Sequence, residues 1–200
     1  MSGVFPTNIK PRNYQLQDNR PTLVNASLSG RRSVRTIGAQ YYTMTVVLPP
    51  LDKDDAMDVF AFLQRQKNSF EEFSYQYPIN NRGAGAANSG RTVNGAHSAG
   101  DNTIAIQGFS ASQTDALKAG DLLEFANHDK VYMIESDVDS DASGEMTITI
   151  SPPLVSSLAD DEGIDCNQPS FKVFLVGDIL YTTDASGFFS ISFELREVVG

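Results

Sequence analysis

The sequence predicts an all-β protein, and three observations support this prediction. Apolar and polar residues alternate with a period of two along much of the chain, which is the pattern of half-buried strands. Two Asp-Ala-Ser-Gly runs fit tight turns between strands. A single segment has the periodicity of a helix. We therefore expect strands to form the core, with one α-helix packed on them.

The strands are predicted from alternation. In the run YYTMTVVL the apolar residues at every second position share one face: Tyr42, Met44, Val46 and Leu48. The same alternation predicts further strands at Val131 to Ile134, at Met146, Ile148 and Ile150, at Phe171, Val173 and Leu175, and at Phe189, Ile191, Phe193 and Leu195. Hairpin turns are expected at residues 141–144 and 184–187, where glycine tolerates a positive φ.

The helix is predicted over residues 52–67. The preceding prolines end a strand, and Asp52 can cap the helix by accepting a backbone N–H. Acidic residues at the start and basic residues at the end suit the helix dipole. Met57, Phe60 and Leu63, with the neighbouring Val59 and Phe62, are expected to form a wide apolar stripe that packs against a sheet.

Composition divides the chain into an outer domain and an insert. Residues 81–99 are rich in glycine, alanine and asparagine and are predicted to be a linker, and residues 156–169 a return linker. Between them, residues 100–155 contain short strands in the number that a small β-barrel needs. Residues 1–80 and 170–200 are expected to form one β domain from both ends of the chain.

The charge distribution is uneven. The net charge is −10, but residues 1–50 carry +5 and residues 101–150 carry −8. Such a split can orient copies of one protein against each other, or it can serve solubility alone. The acidic majority argues against specific nucleic-acid binding. The chain has no run of about 18 apolar residues, so we expect no membrane insertion.

No pattern indicates an enzyme, a cofactor or a metal. Cys166 is the single cysteine, and His97 and His128 have no second histidine at ligand spacing. The glycine-rich run lacks the Lys-Ser/Thr of a phosphate loop. Residues 137–145 alternate acids as a calcium loop does, but the sixth and twelfth positions do not fit an EF-hand. A looser calcium site there is the alternative to a solvated turn.

Three segments are similar to phage tail proteins. Residues 25–78, with a Ser-Gly-Arg turn, a strand that stops at prolines, a helix and a Phe-rich strand, resemble the opening domain of distal and minor tail proteins. The closing run FFSISFELREVVG is similar to the strand that completes that domain. Residues 117–154 resemble a small β module of phage virion proteins.

This resemblance implies the distal tail protein, or baseplate hub ring, family of long-tailed bacteriophages. The implied fold is all-β: a β-sandwich or barrel with one packed α-helix, carrying an inserted OB-like or galectin-like barrel. The implied function is that of a structural virion protein, assembled in the host bacterial cytoplasm into a homohexameric ring. Its partners would be copies of itself, the tail tube protein and the hub or tail tip protein. The alternatives are another tail ring, such as a tube or terminator protein, and a carbohydrate- or receptor-binding β module.

Two sets of candidate site residues follow. A ring needs complementary surfaces, so the subunit-interface candidates are taken from the basic first quarter: Arg31, Arg32, Arg35, Tyr41 and Tyr42. The carbohydrate alternative would need aromatic faces for a pyranose ring, and the candidates for stacking are Phe125, His128 and Tyr132. The absence of tryptophan weakens that alternative.

Overall fold

A computed structural model describes residues 3–86, 89–183, 185 and 187–199. Its elements, in chain order, are β1 (Asn13–Asn19), β2 (Thr22–Ala26), β3 (Arg32–Thr36), β4 (Tyr41–Val47), α1 (Lys53–Arg65), a short 3-10 helix (Asn68–Phe70), β5 (Phe73–Gln76), β6 (Thr92–Val93), β7 (Thr103–Gln107), β8 (Leu122–Phe125), β9 (Val131–Ile134), β10 (Met146–Ser151), β11 (Ile164–Asp165), β12 (Ser170–Thr183) and β13 (Phe189–Glu197). The predicted all-β class with one α-helix is confirmed.

The chain divides into two compact units. Unit 1 consists of residues 1–73 and 173–199, and unit 2 of residues 74–172. The boundaries differ from those expected, because unit 2 includes both segments that were predicted to be linkers. Among the described residues, no helix is long and apolar enough to cross a membrane.

Unit 1 is built on strands of a sheet with the order β1-β4-β13-β12-β5, in which β1, β4, β13 and β12 pair antiparallel. Met44 and Val46 of β4 lie opposite Leu195 and Phe193 of β13, so the apolar positions of both strands share one face. These four side chains are 0–3% exposed. Helix α1 contacts β13 and covers this apolar face. The alternation in the sequence therefore predicted the correct inward face.

Helix α1 begins and packs for the expected reasons, but two residues of the expected apolar stripe are not fully buried. The Asp52 carboxylate accepts the N–H of Asp55 at 2.9 Å, as predicted for an N-cap. The helix ends at Arg65, two residues before the expected end. Its buried side chains are Ala56, Val59, Phe62 and Leu63. Val59, Phe62 and Leu63 of the expected stripe are thus buried. Met57 is 36% exposed, and Phe60 is half-buried, with its ring 5.1 Å from that of Tyr181.

Unit 2 is a six-stranded barrel. Its sheet has the order β11-β8-β9-β10-β7-β6, and its two edge strands meet. Thr92 bridges to Gly163, the Val93 N–H donates to the Glu162 carbonyl at 2.9 Å, and the Ile164 N–H donates to the Arg91 carbonyl at 3.1 Å. The sheet thus closes on itself, which leaves no long open edge. Its interior is filled by aliphatic and aromatic side chains, including Val93, Ile104, Ile106, Leu123, Phe125, Tyr132, Ile134, Ile148 and Ile150.

Residues 81–99 are part of the barrel instead of a flexible linker. Arg91 is 2% exposed, and its guanidinium lies 4.5 Å from the ring centroid of Phe109 and donates to the Ala86 carbonyl at 3.0 Å. The Asn81 amide accepts the Leu122 N–H at 3.0 Å and donates to the Cys166 carbonyl at 2.7 Å. In the return segment, residues 156–169, Leu158 and Cys166 are buried and β11 joins the sheet.

A buried carboxylate explains this packing. Asp121 is 2% exposed and accepts the N–H groups of Arg82 at 2.7 Å, Gly83 at 2.8 Å and Lys118 at 2.9 Å. Gly83 lies so close that a Cβ there would be 2.5 Å from the Ala116 carbonyl oxygen. Hydrogen bonds to its backbone hold the segment in place. These bonds need polar partners such as Asp121, and the close approach needs small residues such as Gly83.

The two expected turns have different outcomes. At residues 141–144 the Asp141 carboxylate accepts the N–H groups of Ser143 at 2.8 Å and Glu145 at 2.9 Å, and Gly144 has φ +78°. This turn is as predicted. In the turn at residues 184–187, Asp184 and Ser186 lie outside the described residues. The strands on either side of it pair directly, with Thr183 opposite Phe189.

Candidate interface surfaces

The hairpin of β2 and β3 is the most exposed ordered element of unit 1. Every residue of both strands is exposed, and four large apolar side chains of the hairpin lie in solvent: Leu23 at 57%, Val24 at 49%, Val34 at 51% and Leu28, in the connecting loop, at 111%. A two-stranded hairpin without a covered face is marginally stable in water. The fold therefore presents a surface that a further contact would stabilise.

Both faces of this hairpin carry apolar and basic side chains, since Arg32 shares a face with Val24 and Val34. Val24 pairs with Val34 across the strands, so one face has an apolar pair at its centre. Leu23 pairs with Arg35 on the other face. The candidates Arg31, Arg32 and Arg35 are all exposed, and none of the three forms an ion pair among the described residues. The hairpin combines an apolar and a cationic contact surface.

Asp18 holds the base of the hairpin. One of its carboxylate oxygens accepts from Gln40 Nε2 and the other from Arg20 Nε, each at 2.7 Å. These partners lie just before β2 and just after β3, so one side chain fastens both ends of the hairpin. The Ile37 N–H adds a bond to the Pro21 carbonyl at 3.0 Å. The base is fixed to β1, whereas the strands extend into solvent.

The two tyrosine candidates lie in the sheet instead of on the hairpin. Tyr41 is half-buried, with the Arg196 guanidinium 3.9 Å from its ring centroid. Tyr42 is 2% exposed, and its N–H donates to a Glu197 carboxylate oxygen at 3.0 Å. Burial, reinforced by the nearby Asp18 and Glu197 carboxylates, raises the pKa of Tyr42 well above its usual value. The five interface candidates therefore do not form one surface.

A groove of about 340 Å³ lies on unit 2, and three of its lining side chains are acidic. They are Asp139, Asp141 and Glu145. The backbone N–H of Glu145, followed by that of Ser143, holds the pKa of Asp141 below its usual value. No salt bridge to these three carboxylates occurs among the described residues. The groove has the chemistry to receive a cationic side chain.

The acidic run at residues 137–145 also has a structural role. Asp137 accepts the Ala119 N–H at 2.8 Å, and Asp139 accepts the Asp115 N–H at 2.7 Å. These carboxylates cap backbone donors of the neighbouring loop. Among the described residues, no three His, Cys, Asp or Glu side chains are grouped to hold a metal ion.

The three sugar-stacking candidates lie together, but inside the barrel. The ring of Phe125 is 5.7 Å from that of His128 and 5.5 Å from that of Tyr132, and Nδ1 of His128 is 2.7 Å from the Tyr132 hydroxyl. Their exposures are 0%, 5% and 0%. Burial lowers the pKa of His128. A pyranose could reach these rings only if the cluster opened.

The other side chains with reactive chemistry are packed. Cys166 is buried, which raises the pKa of its thiol to about 12. The His97 imidazole accepts the Ala105 N–H at 3.2 Å through Nε2. Glu124 accepts the Ser170 N–H at 2.8 Å, and burial raises its pKa to about 7. Each of these groups has a contact that explains its position in the fold.

Two features were missed by the sequence analysis. The apolar pair of the hairpin could have been found from Val24 and Val34, which lie five residues before and five residues after Ser29 of the connecting loop. The acidic groove had a weaker signal, because its residues come from a run that was interpreted as a calcium-like loop or a solvated turn. Only the fold of the barrel brings that run beside Asn94 and beside Ala105 of β7.

Comparison with known proteins finds a family model that is similar to most of unit 2. Residues 80–168 match the family model described as distal tail protein pb9, B domain. The match lies within unit 2, and no curated protein matches the chain. The expected similarity to distal tail proteins is confirmed for this segment. Residues 80–168 are therefore similar to a domain of the phage distal tail protein family.

Proposed function

We propose that this protein forms a homohexameric ring in the distal part of a phage tail and joins the tail tube to the hub or tail tip. The observation that carries the proposal is the match of residues 80–168 to a distal tail protein domain. The proposed role is structural and involves no catalysis. The partners are further copies of the chain, the tube protein and a hub or tip protein.

The surfaces of unit 1 support a ring. A closed ring of identical subunits needs two different surfaces that complement each other. The hairpin of β2 and β3 is one exposed surface, and β1 forms an edge of the five-stranded sheet. On the face of that sheet opposite α1, most side chains are polar. They include Gln15, Gln17, Thr43, Thr45, Ser190 and Ser192. Such a face can border water in an assembly.

The test is mass and shape in solution, with and without the tail tube protein. We expect a particle of about six subunit masses, either from the protein alone or after tube ends are added, and a ring in electron micrographs. Tube protein alone is the control. A chain that stays monomeric at every protein and salt concentration, also with tubes present, would overturn the proposal.

The same mixture separates the distal role from the other tail rings. A distal tail ring should cap one end of each tube in a single layer, because its partner on the far side is a different protein. A tube protein should add in many layers and lengthen the tube. Labelled protein counted along tubes in micrographs distinguishes these results, and labels distributed along the tube would contradict the distal assignment.

A further inference from the structure

The exposed hairpin and the acidic groove are complementary surfaces of one chain. We propose that the hairpin of one copy docks into the groove lined by Asp139, Asp141 and Glu145 on unit 2 of a second copy. This inference rests on the proposed ring, and it names the two surfaces that meet. Because the two surfaces differ, the contact would be of the head-to-tail kind that closes rings.

The charges of the two regions favour this contact. Residues 20–37 contain four arginines and no acidic residue. Unit 2 contains fourteen acidic and five basic residues. Complementary potentials speed encounter and set the register of two surfaces. The hairpin of one copy is therefore attracted to unit 2 of another.

The geometry of the groove suits a guanidinium. The Asp141 carboxylate is held by the N–H groups of Ser143 at 2.8 Å and Glu145 at 2.9 Å, so its position is fixed. Arginine presents a planar fork of donors that matches carboxylates well. A groove of about 340 Å³ has room for such a side chain. Arg32 and Arg35 project from opposite faces of the hairpin, so either face can supply one.

The apolar residues of the hairpin favour a protein partner over nucleic acid. Val24, Val34 and Leu28 are 49–111% exposed and gain by leaving water. A phosphate backbone would satisfy only the arginines, and the net charge of −10 repels it. Another copy of the chain offers both carboxylates and a protein surface.

The test uses three full-length variants. In the hairpin variant Arg31, Arg32 and Arg35 are changed to Glu, and in the groove variant Glu145 and Thr147 are changed to Lys. The control variant changes Lys10, Arg12 and Lys53 to Glu, which gives it the net charge of the hairpin variant. All these side chains are exposed, so the unfolding midpoints should stay close to that of the parent.

Self-association is measured by sedimentation at low and high salt, with tube ends present if the parent needs them. We expect the hairpin and groove variants each to associate at least about tenfold more weakly than the control at low salt. The loss should shrink at high salt, where exposed charges are screened. A 1:1 mixture of the two variants should recover association, because a hairpin with glutamates then meets a groove with two lysines on another copy, and an unchanged hairpin meets an unchanged groove.

The remaining outcomes all contradict the docking. If the hairpin variant associates as the control does, the docking is wrong while the ring stands. If the hairpin variant fails but the groove variant does not, or if mixing restores nothing, the hairpin binds another surface. Retention of the parent on duplex DNA through its arginines would assign the hairpin to nucleic acid instead. A parent that stays monomeric even with tube protein overturns the ring and the docking together.

Discussion

Residues 20–37 and residues 81–99 are both polar segments with glycine turns, but they have opposite environments. The first forms a hairpin whose strands are wholly exposed. The second is fastened to the barrel and contains Arg91, which is 2% exposed. Asp18 holds only the base of the hairpin, whereas Asp121 and Asn81 bond to several backbone groups of the barrel. Polar composition alone therefore does not distinguish an exposed hairpin from a packed loop. The difference is that the backbone of the packed loop forms hydrogen bonds with buried side chains.

The largest effect should come from removing the buried carboxylate. Asp121→Ala would leave three backbone N–H groups without their acceptor, two of them in the 81–99 segment. At about 1–3 kcal/mol for each unsatisfied donor, partly relieved by water, we expect a loss of about 3–5 kcal/mol. Urea unfolding measures it. Asp101→Ala, which removes an exposed carboxylate bonded to the Ser98 N–H, is the control and should cost far less. Equal midpoints for both variants would contradict the role given to Asp121.

A second effect should follow from adding one methyl group to the same segment. A Cβ on Gly83 would lie 2.5 Å from the Ala116 carbonyl oxygen and 2.6 Å from the Leu117 Cα, both of them backbone atoms. We expect Gly83→Ala to cost about 2–3 kcal/mol in thermal or urea unfolding. Gly163→Ala is the matched control, since its Cβ would meet the Ala126 Cβ at an ordinary 3.6 Å. A flexible linker would tolerate both changes equally, so that result would refute the packing of residues 81–99.

The stability of unit 2 should depend on pH because of Glu124. Burial raises its pKa to about 7 from the usual value of 4.5, so the folded state holds a proton that the unfolded state releases. This contribution is complete below pH 4.5 and is lost as the pH rises through about 7. Other groups being equal, stability should fall by about 2 kcal/mol between pH 5 and pH 8. Glu124→Gln should flatten this part of the profile, and an identical profile for the variant would show that Glu124 is not its cause.

The smallest effect is expected on the hairpin. Val24→Thr with Val34→Thr changes two side chains that are 49% and 51% exposed, so the free energy of unfolding of the monomer should change by less than about 0.5 kcal/mol. The comparison of the two segments would fail if this pair of changes destabilised the monomer as much as Gly83→Ala.

Alternation was sufficient where a strand has several apolar residues on one face. Strands β4, β9, β10, β12 and β13 were predicted because each has several apolar residues on one face. The two strands that close the barrel, β6 and β11, have two residues each and no period to detect. Their pairing depends on contacts between residues about 70 positions apart, such as Thr92 and Gly163. Local patterns carry no information about such pairing.

The candidate site residues show the same limit of local sequence patterns. Arg31, Arg32 and Arg35 were chosen by charge, and charged side chains on a polar hairpin are exposed in most folds. Their role in an interface stays a prediction. Phe125 and Tyr132 were chosen as aromatic surfaces, yet the same residues fill the barrel core, because ring size suits both uses. In the helix, the predicted apolar stripe was too wide, because it included Met57 and Phe60 beside the buried Val59, Phe62 and Leu63.

The two ends of unit 2 meet. The Tyr77 N–H donates to the Pro169 carbonyl at 3.0 Å, and Gln168 Nε2 donates to the Asn80 side-chain oxygen at 2.6 Å. Asn80 and Gln168 are also the first and last residues of the family match. A domain whose ends are neighbours can be gained or lost between two positions of a host chain without stretching the host. The barrel can therefore be inserted, removed or replaced as a unit at this one point of the chain, without a change in the strand order of the five-stranded sheet.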